Sequence, residues 1–229
     1  MGTDIHPVVE RRSANGWERV RAPSKKDGNS SVIAQRNYDL FAILADVRNG
    51  SGFAGVATGD RMVPIAGPRG LPSDFDSTSP AHTPEECDDP KWCDHALWMG
   101  DHSESWVTLE ELLAYDWQRV RRKTGIVSLP EYARWLKRGG TGGPREYCGG
   151  ISGPDIVVLS EDELMDTSDY SLVGRGDKMR RLLACQVYVR VFWEETAAES
   201  VGLFYREALP WLSTLGAPGD VRLVFGFDS

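Results

Sequence analysis

The chain has 229 residues, 41% of them hydrophobic, enough to bury a substantial core but long for one domain and short for two. Its formal net charge of -8 argues against a general nucleic-acid coat, which needs a basic surface to release counterions. No apolar run approaches the roughly 18 residues of a membrane span, and no hydrophobic leader precedes Cys87, Cys93, Cys148 and Cys185, so a soluble protein of a reducing cytoplasm is expected.

The first elements are strands. IHPVVERR and ANGWERVRA form a hairpin joined through Asn15 and Gly16, a pair that tolerates the positive φ of tight turns. NYDLFAILADV places Leu40, Phe41, Leu44, Ala45 and Val47 at helical spacing, with Asn37 or Asp39 as cap, and ends before Asn49-Gly50. The segment 67–107 is a long loop region, rich in Pro, Gly, Ser and Asp, and loops of that length in compact domains carry function or mobility. Thr108 with Glu111 opens a helix over LEELLAYDWQRVRRK, and Ser128 with Glu131 opens a second over YARWLK, closed by Gly139. RGGTGGP lacks the Lys-Ser or Lys-Thr of a phosphate-binding loop and reads as a hinge or loop tip.

The last third alternates more cleanly. CQVYVRVFW is a strand with Val187, Val189 and Val191 on one side, ESVGLFYREALPWLSTLG is helical in period with a break at Pro210, and VRLVFGFD is a second strand. Strand, helix and strand in succession predict a parallel βαβ unit. The expected fold is therefore α/β or α+β, a single domain over residues 1–229 with a mixed sheet, an N-terminal hairpin, a C-terminal βαβ unit and long Pro/Gly/Ser-rich loops. Charge is uneven along it: Glu85 to Asp116 is acidic apart from Lys91, and Arg119 to Arg145 is mostly basic.

MGTDIH, RNYDLFAILADVRNG, PIAGPRGLPSD, DHSESWVTLEEL and VRLVFGFDS together resemble an uncharacterised family of bacteriophage and bacterial proteins. Its members begin MGxDIH, carry RNYxLFA, PRGLP and HSxSWLT, and finish on VFWFDN. The likeness runs from the first residue to the last, with Val107 in place of the usual Leu and Gly226 in place of the usual Trp. It implies a phage or bacterial origin and a host-cell cytoplasmic setting, and supplies no mechanism.

Those blocks hold the candidate site. Asp4 and His6 are two apart on a strand, so their side chains share a face and can reach one metal ion. His102, ahead of a capped helix, and Asp228, at the end of the last strand, complete a set of two His and two carboxylates suited to Zn²⁺, Mn²⁺ or Fe²⁺. Arg36 and Tyr38 precede a helix N-terminus, Arg69 sits in PRGLP, and Ser103 and Ser105 add hydroxyls, a set with the right sign for a phosphorylated ligand. Each cation has a plainer role, Arg36 pairing with a nearby carboxylate and Arg69 holding its own loop. The DxH pair resembles that of metallophosphoesterases, but Gly59-Asp60 is followed by Arg61, Met62 and Val63, so their second motif fails. Cys87, Cys93 and His95, with His82, His102 or Cys148, form an alternative zinc set of looser spacing. Of the eight Trp, most are core residues, and one or two near His102 can stack on a base.

Three functions follow. The first is a metal-dependent hydrolase of a phosphorylated small molecule or nucleotide, with His102 and Asp4 catalytic and Asp4, His6, His102 and Asp228 as ligands. The second is a phage protein that binds a nucleotide-like defence signal without turnover. The third occupies a host factor through the acidic segment.

Overall fold

A computed structural model describes residues 2–22, 33, 36–52, 55–78, 97–168 and 186–229. The class is α+β, built on two sheets rather than one. Contacts divide the chain into two compact units: Met1–Asn49, Met62–Trp117 and Ala198–Ser229 form the first, and Gly50–Arg61 and Gln118–Ala197 the second. No helix among the described residues is long and apolar enough to cross a membrane.

The first unit is built on an antiparallel sheet. Strands β1 (Asp4–Ser13) and β2 (Gly16–Val20) form the expected hairpin, shifted by one residue so that Ala14 and Asn15 make the turn and Gly16 takes the positive φ of 111°. The sheet is completed by β3 (His102–Thr108) and the last strand (Val221–Asp228), in the order β2, β1, last strand, β3. The HSESWVT segment is thus a strand, and the expected loop region ends at its start. Helix α1 (Tyr38–Ala45) is capped by Asn37, whose side chain accepts from the backbone N–H groups of Asp39 and Leu40, and Asp46 closes it in the left-handed region. Leu40 to Ala45 are all buried, so this helix is enclosed rather than amphipathic. Phe41 meets Phe227 edge to face at 5.0 Å, joining α1 to the sheet.

Helix α2 (Leu109–Ala114) has the expected capping box, Thr108 and Glu111 each satisfying the other's backbone N–H. It stops at Tyr115 instead of running to Lys123, because Val120–Ser128 is β4. From Val120 to Lys123 burial has a period of two, Arg121 and Lys123 facing inward while Val120 and Arg122 are exposed, and Gly125 to Val127 are buried throughout. A capping box marks where a helix starts and carries no information on its length.

The second unit holds β4, α3 (Leu129–Lys137), β5 (Ile156–Ser160), α4 (Glu161–Ser168) and β6 (Gln186–Thr196), with strand order β4, β6, β5. Here β5 and β6 are parallel and β4 and β6 antiparallel. The parallel pair is therefore β5 with β6, with α4 in the connection. The expected pairing of β6 with the final strand, β7, does not form, since each belongs to a different sheet. What intervenes is α5 (Ala197–Val201), a left-handed Gly202, a π-helical turn at Phe204–Ala208 and α6 (Leu209–Leu212). Pro210, with no N–H to donate, sits in the first turn of α6 directly after the wide turn.

Glu131 decides the form of the Gly-rich segment. Ser128 accepts from the Glu131 backbone N–H, but the Glu131 side chain turns to Arg134 (2.8 Å), Arg138 (3.1 Å) and the N–H of Arg145 (2.8 Å). RGGTGGP is thereby pinned, with Trp135 Nε1 donating to Gly142 O at 2.9 Å, so it is neither a free tip nor a hinge. The Arg134 hydrogen bond is the main force lowering the Glu131 pKa from its ordinary 4.5 to about 2. A carboxylate whose pKa falls on folding adds stability that is fully present above 4.5 and lost as pH drops toward 2. Glu131→Gln should thus lose stability at pH 6, with the gap from wild type closing between pH 4.5 and pH 2. Urea unfolding at a series of pH values checks this, and a gap independent of pH would refute it.

Candidate functional site

The end of the four-stranded sheet gathers most of the expected residues. In antiparallel register Asp4 faces Asp228 and His6 faces Gly226, which puts Asp4, His6 and Asp228 on one face of the sheet. The Asp4 N–H donates to Asp228 Oδ1 at 3.1 Å, and Asp228 Oδ2 lies 3.5 Å from His6 Nε2. That separation is loose for a hydrogen bond, and Nε2 is covered and has no other partner, so we treat the contact as electrostatic. The His6 ring is tilted against Trp98 at 4.5 Å, and Trp98 is 57% exposed. His6 and Trp98 thus form a partly open wall backed by a carboxylate.

His102 does not join them. From Ser105 to Thr108, β3 pairs with Phe225 to Arg222 in unbroken register, which if continued would set His102 opposite Asp228. A bulge between His102 and Ser105 adds one residue, so His102 instead faces Phe227 and points to the other side of the sheet. Ser103, inside the bulge, has a φ of 54°, the left-handed conformation that costs a non-glycine residue about 1–2 kcal/mol. His102 stacks on Phe227 at 6.0 Å and places Nδ1 and Nε2 each 3.0 Å from a hydroxyl, that of Ser103 and that of Ser229. Ser229 in turn lies 3.1 Å from the Thr3 hydroxyl, which accepts from Arg48 Nε at 2.9 Å. The four-residue ligand set is corrected accordingly: the bulge takes His102 to one face and leaves Asp4, His6 and Asp228 on the other. Both Asp4 oxygens are also engaged by Arg36, and among the described residues no three His, Cys, Asp or Glu side chains converge as a metal site.

The expected anion-binding groups are largely committed. Arg36 grips Asp4 through Nε at 2.8 Å and through Nη2, and this hydrogen bond holds the Asp4 carboxyl below the ordinary range. Gly2 makes the approach possible, since a Cβ there would stand 2.7 Å from Arg36 Nη1. Tyr38 accepts the Thr3 N–H through its hydroxyl at 3.4 Å. Arg69 donates to both oxygens of Glu111, at 3.1 and 2.6 Å, and to Trp106 O at 3.3 Å, so it ties PRGLP to the start of α2. Burial opposes ionisation of Glu111, yet the Arg69 and Thr108 hydrogen bonds keep its pKa below the ordinary value. Ser105 is fully buried, accepting the Arg69 N–H at 3.2 Å and facing Gly67 O at 3.5 Å, and is a staple for the same loop. Arg36 and Arg69 each follow the plainer role, as one half of an ion pair.

Sequence reasoning missed the contact of Trp98 with His6, the parts played by Thr3 and Ser229, and a polar cluster further along the same face as His6. There Arg222 donates to Glu10 at 2.7 Å and to Asp74 at 2.6 Å, beneath the ring of Trp17 at 4.0 Å. The register pairing Glu10 with Arg222 was the signal, and it is readable only once β1 and β7 are known to be neighbours. Cys87, Cys93, His95 and His82 of the alternative zinc set lie outside the described residues, as do residues 85–96 of the acidic segment. Compared with protein-family models, curated proteins and solved structures, the chain gives no match.

Proposed function

We propose that the protein is an accessory protein of phage or bacterial cells that binds a small phosphorylated, nucleotide-like molecule at this sheet end and hydrolyses it. His6 is the proton-transfer group. The observation that carries this reading is the His6 ring held between the Asp228 carboxylate at 3.5 Å and the exposed ring of Trp98 at 4.5 Å. A carboxylate behind an imidazole is the arrangement that orients a general acid or base and stabilises its cationic form. Asp228 occupies the covered Nε2 side, so Nδ1 is the nitrogen left for the ligand. Trp98 offers a face on which a base can stack.

Binding without turnover is a second reading, favoured by the separation of His102 from His6, which leaves a single imidazole at the site among the described residues. One experiment separates the two. A nucleotide panel, with cyclic dinucleotides and ADP-ribose derivatives, is incubated with wild type and His6→Ala, with and without a chelator, and resolved by chromatography. Wild type should release product, and His6→Ala should lose at least about a hundredfold in rate while keeping its fold. Turnover should survive the chelator, and its loss would restore a metal-dependent mechanism. Intact recovery of a tightly bound nucleotide promotes the binder, and absence of binding rejects both readings.

A further inference from the structure

A second group of reactive side chains lies on the face of the four-stranded sheet opposite His6. Alternation, carried one residue past the ends of β1 and β7, sends Thr3, Phe227 and Ser229 to the side on which Phe41 of α1 packs, and the bulge in β3 brings His102 there with them. Four polar contacts then run in line. Arg48 Nε donates to Thr3 Oγ1 at 2.9 Å, Thr3 Oγ1 lies 3.1 Å from Ser229 Oγ, Ser229 Oγ lies 3.0 Å from His102 Nε2, and His102 Nδ1 lies 3.0 Å from Ser103 Oγ.

Burial sets the direction of the protons. Thr3 is fully buried, so its hydroxyl proton needs an acceptor; a guanidinium can only donate, which leaves Ser229 Oγ as the acceptor in reach among the described residues. Ser229, taking that proton, is placed to give its own to Nε2, with the imidazole proton on Nδ1 directed at Ser103. A hydroxyl, a base within hydrogen-bond reach and a third group that orients the base are the parts of an activated nucleophile. Asp101 Oδ1, 3.9 Å from Nε2, is too far to accept a hydrogen bond but close enough to stabilise an imidazolium. Once Ser229 loses its proton, the Thr3 hydroxyl still donates to it, with the Arg48 charge behind.

Strain marks the same group. Among the described residues the non-glycine residues at positive φ are Asp46, which caps α1, and Arg48 and Ser103, at 55° and 54°, which stand at the two ends of the relay. Its centre is open: Ser229 is exposed, and so is 36% of the His102 side chain.

We propose that Ser229 is the nucleophile and His102 the general base of a second site, separate from that of His6, which hydrolyses uncharged carboxylic esters. Ser229 Oγ bonds to the ester carbonyl carbon as its proton passes to Nε2; the bond from that carbon to the alcohol oxygen breaks, and the proton leaves with the alcohol. Water then attacks the acyl-serine and gives a proton to Nε2, which returns it to Ser229 Oγ as the acid departs. Charge selects the substrate. The ionised group that meets the imidazole is the Asp101 carboxylate, and among the described residues no Lys or Arg bonds to Ser229 or His102, so a phosphate monoester would be repelled where a neutral ester is accepted.

The test incubates the full chain with a fluorophosphonate, which loses fluoride to an activated serine, and locates the adduct by peptide mass spectrometry, with hydrolysis of p-nitrophenyl acetate followed in parallel. An adduct on Ser229 is expected. His102→Gln should slow both labelling and hydrolysis about a hundredfold or more, and Thr3→Val, which keeps the shape but removes the donor to the alkoxide, about tenfold. Should His102→Gln lose its fold by far-UV circular dichroism, Thr3→Val decides in its place. Absence of an adduct on Ser229, or wild-type rates in the deciding variant, overturns the proposal.

Discussion

Arg222→Ala is expected to cost about 3–5 kcal/mol of stability, the usual penalty for removing one partner of a buried ion pair. Arg222 and Glu10 are each about 5% exposed or less at the side chain and meet at 2.7 Å on adjacent strands. Deleting the guanidinium leaves the Glu10 carboxylate covered and uncompensated, which costs more than the attraction between the two was worth. A second anchor goes with it, because Arg222 Nη1 also holds Asp74 at 2.6 Å and so fixes the segment after PRGLP. The hydrogen bond from Arg222 is the main force keeping the Asp74 carboxyl below its ordinary range, so the variant should also titrate Asp74 at higher pH. Urea unfolding followed by Trp fluorescence measures the loss. Pairing Arg222→Met with Glu10→Leu should recover much of it, since two apolar residues leave no charge stranded. A loss under about 1 kcal/mol in the single variant would mean that water reaches Glu10 and that the cluster is not a true interior one.

How far the sequence could lead depends on how local each signal was. Asn37, Thr108 and Ser128 were readable as caps because a cap and its partner N–H lie within three residues. The alternation of β1 was enough to put Asp4 and His6 on one face. The ion pairs were not readable: Arg36 finds Asp4 across 32 residues and Arg69 finds Glu111 across 42, and only the assembled fold brings them together. Strand pairing carried the larger errors. Nothing in VRLVFGFD states that it lies between β1 and β3 instead of beside β6, although its burial on both faces, Val221 to Phe227, fits a central strand. His102 failed for a subtler reason. Period-two reasoning is reset by a single extra residue, and the left-handed Ser103 that supplies it has no reliable signature in a stretch such as DHSESW.

Gly226→Ala is expected to be among the most damaging single-methyl changes in the chain, costing about 3 kcal/mol or more by overpacking. A Cβ at this position would stand 1.8 Å from the carbonyl oxygen of Met99, and backbone cannot swing aside as a side-chain tip can. Nor can β7 retreat, since β1 and β3 hold it on both edges. The same contact is tight from the other side: Gly100, at a φ of 92°, would bring its own Cβ within 2.2 Å of Phe227 O. Relief therefore has to come from moving the 98–101 segment, and that segment carries Trp98. The substitution should accordingly lower stability and also separate Trp98 from His6, the pair on which the proposed ligand site rests. Thermal unfolding gives the first measurement. The second is the difference in Trp fluorescence that His6→Ala makes, compared between the wild-type and Gly226→Ala backgrounds. Wild-type stability and an unchanged fluorescence difference in Gly226→Ala would show that Met99 does not pack on β7, and with it would go the wall that Trp98 and His6 form.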